Sequence, residues 1–268
     1  AVPTSQPSPS VLPGACEAID NVRQTLTGNT FLCDEEDECK SCKEGICGAF
    51  GVDTLWDCIA KNACTDNGSE GGIASDVDGE NHFYLNCNLP GDSNFGNTCY
   101  NTGVGWDAGN DSPLDRPEDV TACCVGYSSC YQSTFRATNT VNMECDTSTT
   151  TAGDSNFQQT CAETDVYATD INLVCRGDSA CNEMELHATG QIRLECILGD
   201  PNECDNFVTI DGDCCCVGDL GRCSNKCLTN GSKIACPALP SAMPSSVPTT
   251  QPSAVPTTQP SAVPTSQP

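Results

Sequence analysis

One phrase recurs along this chain and limits its fold more than any other feature: two apolar residues in alternation, then a cysteine. It reads Phe83-x-Leu85-x-Cys87, Val141-x-Met143-x-Cys145, Ile171-x-Leu173-x-Cys175 and Ile192-x-Leu194-x-Cys196. Val120-x-Ala122-x-Cys124 and Thr54-x-Trp56-x-Cys58 are weaker copies. A period of two puts the apolar residues and the cysteine on one face of a strand and the polar residues on the other. Each phrase is too short to bury its own face. Strands of this kind become stable when stacked on copies of themselves, as in a solenoid.

The repeat extends beyond the strands. Cys124-x5-Cys130-x14-Cys145 superposes without a gap on Cys175-x5-Cys181-x14-Cys196, and Cys58 to Cys64 shows the same first step. Phe135 then falls on Leu186, Ala137 on Ala188, Val141 on Ile192 and Met143 on Leu194. Gly91-Asp-Ser-Asn-Phe95 and Gly153-Asp-Ser-Asn-Phe157 form a second matched pair, each shortly before Thr-Cys. Three β modules follow, at 54–118, 119–165 and 166–212. A Cys-rich N-terminal cap at 16–53 is expected to start with a short helix near Ala18–Leu26. A Cys-rich C-terminal cap is placed at 213–239, with a linker at 1–15 and a repetitive tail at 240–268. The expected fold is mainly β: a short, disulfide-rich, β-solenoid-like domain, right-handed and β-helix-like, flanked by polyproline II tails. A row of small independent disulfide knots is the alternative.

The chain holds 24 cysteines, an even number with few aromatics, which indicates disulfides and an oxidising compartment. Strand-end cysteines are expected to staple successive turns of the solenoid. Cys58, Cys64, Cys87, Cys99, Cys124, Cys130, Cys145, Cys161, Cys175, Cys181, Cys196 and Cys204 are the expected disulfide residues, with their pairing open. Zinc is the competing use of cysteine. Cys39-Lys-Ser-Cys42 has a ligand-like gap, but no second pair answers it, and His82 and His187 are the only histidines. No metal and no cofactor is expected.

Prolines stand at every fourth position from Pro240 to Pro268, separated by Ser, Thr, Ala, Val, Gln and one Met. Proline removes an amide donor and fixes φ, so neither helix nor central strand survives such spacing. Polyproline II remains, and 240–268 would span roughly 90 Å. The chain also opens on Ala1-Val2-Pro3-Thr4-Ser5-Gln6-Pro7, the same words as Ala262 to Pro268. With no initial methionine, leader or hydrophobic span, it reads as a mature or excised unit from a longer run of linkers and domains.

Eleven basic residues against 37 acidic ones exclude nucleic acid and anionic membranes as partners. The acidic run Asp34 to Glu38 lacks the ligand-glycine spacing of a dedicated Ca²⁺ loop, so Ca²⁺ is at most loosely held there, while the loop Asp76-Val-Asp78-Gly-Glu80 is a candidate to hold carbohydrate or Ca²⁺ for adhesion. Asn67, Asn110 and Asn230 lie in N-glycosylation sequons. Ser/Thr-rich sequence punctuated by proline has the composition of O-glycosylated stalks.

Cysteine-rich modules joined by Pro-Ser-Thr tetrapeptides resemble the cell-surface proteins of microalgae. The tail is similar to the backbones of extracellular glycofibrils, and more loosely to the hydroxyproline-rich axial proteins of flagellar mastigonemes. The resemblance implies hydroxylation and glycosylation at Pro244, Pro248, Pro252, Pro256, Pro260 and Pro264. It implies sugars at Ser253, Thr257, Thr258, Ser261 and Thr265. The implied role is a structural subunit of a fibre outside the cell or on its surface, its partner being further copies of itself head to tail.

An enzyme is not expected. Asp165, Asp170, Asp178, Asp211 and Asp213, with Arg176 and Arg193, offer the residue types of a polysaccharide lyase or hydrolase, but in so acidic a chain no one of them stands out. No nucleophile, zinc-protease or nucleotide motif is present. The alternative function is a secreted carbohydrate- or Ca²⁺-binding adhesion module, with Trp56, Trp106, Tyr100 and Tyr127 as sugar platforms. Arg176-Gly177-Asp178 spells an integrin tripeptide and is read as coincidence.

Overall fold

The computed structural model of the chain describes residues 14–26, 30–35, 53–60, 62–65, 81–88, 97–105, 116–147, 159–177, 180–197, 209–218, 227 and 236. Among these lie a helix, α1 (Ala15–Arg23), and the strands β1 (Thr30–Cys33), β2 (Thr54–Cys58), β3 (His82–Asn88), β4 (Gly103–Val104), β5 (Asp119–Val125) and β6 (Thr134–Arg136). The series continues with β7 (Thr140–Asp146), β8 (Asp165–Ala168), β9 (Asp170–Arg176), β10 (Glu185–Ile197) and β11 (Thr209–Gly218). All six Cys-ending phrases are strands: β2, β3, β5, β7, β9 and the second half of β10.

Every pairing is parallel, and each step to the neighbouring strand advances the chain by one coil. The step varies from 20 residues (Asp165 to Glu185) to 37 (His82 to Asp119). One face runs β1-β2-β3-β5-β7-β9 and on to β10, and the other runs β4-β6-β8 and back to β10. β10 belongs to both faces because it passes around the corner unbroken, with a register irregularity between His187 and Gln191. β11 follows it round. The result is one parallel sheet curled on itself, a mainly β, disulfide-rich, solenoid-like fold.

Like residues meet in columns because the register is conserved from coil to coil. Val120, Val141, Ile171 and Ile192 form one inner column, and Ala122, Met143, Leu173 and Leu194 the next. On the other face Phe135, Val166, Leu186 and Ile210 line up. All are buried, most of them completely. Each fully buried aliphatic side chain contributes roughly 1.5–3 kcal/mol, so stacking supplies the core that a single coil lacks.

Two segments differ from the sequence expectation. The helix lies across the outer flank of β3, β5 and β7 rather than over an end of the coil. Its Ile19 packs on Leu55, Cys123 and Val125, outward residues that the inner-face pattern leaves out. Residues 213–218, assigned by sequence to a closing cap, are instead the second half of β11, in register with Gln191 to Cys196. Three adjacent cysteines at 214–216 hide a strand because each is small and apolar enough to sit on either face.

Candidate functional site: the cystine stack and the outer ladders

The strand-end cysteines form a continuous inner column, with Cys87, Cys124, Cys145, Cys175 and Cys196 in register. The structure joins Cys58 to Cys64, Cys87 to Cys99, Cys124 to Cys130, Cys145 to Cys161 and Cys175 to Cys181. Each bond runs from a strand end to the turn that follows, so it closes its own coil. The sequence expectation had them tying one coil to the next. Their Cα–Cα distances stay between 5.9 and 6.1 Å although the bridged separations are 6, 12 or 16 residues. The staple thus holds coil geometry constant and leaves the length of chain between its ends free to vary.

The turns form a third side. Cys99 N–H donates to Ala63 O, Cys130 N–H to Thr98 O and Cys161 N–H to Ser129 O, at 2.8–3.1 Å. Buried hydroxyls run alongside: Thr102 Oγ1 donates to Cys64 O at 2.5 Å, Ser133 Oγ to Cys99 O at 2.9 Å and Thr164 Oγ1 to Cys130 O at 2.6 Å. The next coil has Met184 at that place, so the hydroxyl ladder stops there. This side had a legible signal. Cys99-Tyr-Asn-Thr-Gly-Val104, Cys130-Tyr-Gln-Ser-Thr-Phe135 and Cys161-Ala-Glu-Thr-Asp-Val166 repeat at intervals of 31 residues.

Sγ atoms of Cys33, Cys58 and Cys64, and of Cys87, Cys124 and Cys130, approach within 4.8 Å. All six are disulfide-bonded. A metal site there requires thiolates, which the oxidised chain does not supply.

Outside the coil, carboxylates at the corners accept backbone amides from the neighbouring coil. Asp53 Oδ1 accepts His82 N–H, Asp119 Oδ1 accepts Thr140 N–H and Asp170 Oδ1 accepts Gln191 N–H, at 2.8–3.0 Å. Part of the chain's acidity therefore satisfies corner donors. Glu144 and Asp57 hold the helix. Glu144 accepts Cys16 N–H at 3.1 Å, at the positive end of α1, and meets Arg176 Nε at 2.8 Å. Asp57 receives Arg23 at 2.9 Å and Asn86 Nδ2 at 2.5 Å. Cys16–Cys123 completes the attachment. The Arg of Arg176-Gly177-Asp178 is thus engaged with Glu144, and Asp178 lies outside the described residues.

His82 stacks on Tyr84 with ring centroids 4.1 Å apart; its Nε2 lies 2.7 Å from Thr121 Oγ1 and its Nδ1 3.9 Å from Asp119. Burial pushes its pKa down, against the opposing pull of Asp119 and Asp53. The geometry looks like a nucleophile, base and orienting acid. Thr121 is only 3% exposed, however, so a substrate has no approach to its hydroxyl.

On the opposite face the Arg136 guanidinium lies 4.7 Å above the Tyr167 ring, which stacks on His187 at 4.6 Å. His187 Nε2 stands 3.6 Å from Glu185. Burial, and then the neighbouring Glu185, raise the Asp165 pKa. A depression of about 380 Å³ beside this stack is lined by Arg116, Thr138, Tyr167, Ala168, His187 and Asp211, among others. Trp56 is a core residue, 4% exposed, and so is not a sugar platform. Arg193 is buried as well. Asn67, Asn110, Asn230, Trp106, Cys204, the acidic loop at 76–80 and the whole tail with its hydroxyproline and sugar positions lie outside the described residues.

Comparison with protein-family models, with curated proteins and with solved structures finds no match to this chain. Among the described residues no helix is long and apolar enough to cross a membrane. Disulfides in this number belong to an oxidising environment.

Proposed function

We propose that the chain is a structural, non-enzymatic unit of an extracellular glycosylated fibre. The coil is a rigid bead, and the polyproline II tails are sugar-coated rods between beads joined head to tail. The right-handed sense usual for parallel crossovers, hydroxylation at Pro244 to Pro264 and glycans on the tail and at the sequons belong to this reading. The observation that carries it is the cystine stack. Side chains that could have lined a ligand cavity fill the interior with disulfides instead, which favours mechanical and proteolytic resistance over chemistry.

Glycopeptide mass spectrometry of the native secreted material tests the rod. Hydroxyproline and hexose or pentose on peptides from 240–268 are expected, and unmodified peptides throughout would refute it. Electron micrographs of the same material should show beaded filaments.

The depression between Arg116 and Asp211 favours a second reading, a carbohydrate-binding adhesion module. A monomer that binds defined oligosaccharides and never forms filaments would select it.

A further inference from the structure

On the turn side, Tyr100 and Tyr131 stand on adjacent coils with ring centroids 5.6 Å apart and planes inclined by 30°. Both are partly exposed to solvent. Their hydroxyls are differently placed. Tyr131 O–H donates to the Glu163 carboxylate at 2.8 Å, while Tyr100 O–H donates to the Gln132 amide oxygen at 2.7 Å. Gln132 Nε2 in turn donates to the other oxygen of Glu163 at 2.7 Å, which fixes that carboxylate against the phenol.

A phenol bonded to a carboxylate is prepared for one reaction in particular. Loss of an electron turns the phenol into a strong acid, and a base already on the hydroxyl takes the proton in the same step. The alternative route, prior ionisation, is closed at neutral pH. Burial and the hydrogen bond to Glu163 push the Tyr131 pKa to about 12. Among the described residues Tyr84 and Tyr167 stack on histidines instead, and neither has a tyrosine beside it.

We propose that Tyr100 and Tyr131 are a site of oxidative cross-linking, joined as a dityrosine by a peroxidase and hydrogen peroxide. Each phenol loses one electron and one proton, that of Tyr131 to Glu163 and that of Tyr100 to solvent. The two phenoxyl radicals couple at their ortho carbons, and the two ring hydrogens shift to oxygen to restore both phenols. One peroxide accepts the two electrons and two protons and leaves as two waters. The stacked disulfides each close a single coil, whereas this bond joins two neighbouring coils and opposes their separation along the axis. The inference goes beyond the fibre reading, since it needs only an oxidising exterior and not a filament.

The full disulfide-bonded chain, treated with a haem peroxidase and substoichiometric peroxide, tests it. The expected product is a monomer two hydrogens lighter, with the blue fluorescence of a biaryl and one cross-linked peptide pair carrying Tyr100 and Tyr131. Tyr100→Phe and Tyr131→Phe keep the stack and should abolish that product. Glu163→Gln should slow it by about a hundredfold, and that difference should vanish in the urea-unfolded chain. Products spread over all five tyrosines, intermolecular dimers alone, no product, or unchanged rates in Glu163→Gln would each overturn the proposal.

Discussion

His82 shows how a single residue is placed by the coil and not by its sequence neighbours. Its amide bonds Asp53, its ring bonds Thr121, and it stacks on Tyr84, so three successive coils meet at one residue. Because burial lowers its pKa from the usual 6.5, the folded chain binds the proton less readily than the unfolded chain. Stability is therefore full above that value and falls as the pH drops through the histidine range. Thermal unfolding at pH 7.5 and 5.5 measures the fall, and His82→Gln should reduce it; an identical fall in the variant would assign it to other groups. None of this was legible in the sequence, because the partners lie 29 and 39 residues away. The sequence offers Tyr100 only as one of four candidate sugar platforms. Its partner follows the 31-residue period of the turns, a legible pattern but a fainter one than that of the strands.

The turns carry the main strain of the fold. Cys64, Cys99, Cys130 and Cys161 have φ of 54–55°, in the left-handed region that side chains avoid. At Cys99 and Cys130 the disulfide, a stacked amide and a buried hydroxyl together hold the backbone there. Removing one staple as Cys124→Ala/Cys130→Ala should cost about 2–3 kcal/mol by loop entropy. Cys124→Ala/Cys130→Gly should be about 1 kcal/mol more stable than that double variant, since glycine tolerates the backbone. Urea midpoints at equal slope provide the measurement, and a reversed order would show that the turn is not strained. Strands were the most legible elements, since alternation and a terminal cysteine mark each of them. The helix was placed at Ala18–Leu26 and occurs at Ala15–Arg23. Its docking on the flank is not legible in the sequence because Leu55, Tyr84 and Val125 face outward, where alternation leads one to expect polar residues.

Across the molecule, cohesion is a sum over neighbouring coils. β5, β7 and β9 are paired on both sides, whereas among the described residues β1 pairs only with β2 and leaves Phe31 and Leu32 39% and 50% exposed. Native-state hydrogen exchange should therefore protect the amides of β7 and β9 longest and release those of β1 first. Uniform protection would mean that the coils open together. The mainly β, solenoid-like plan could be read from the sequence because it depends on a repeated local pattern. The direction of the staples could not, since a column of cysteines with a second column beside it fits bonding along either axis. That direction has a hereditary consequence. Each of these coils brings both halves of its inner cystine, so duplication or deletion of any whole coil but that of β5, whose Cys123 is held by Cys16, leaves no thiol of these pairs stranded, and lineages can lengthen or shorten the bead without reworking its oxidation.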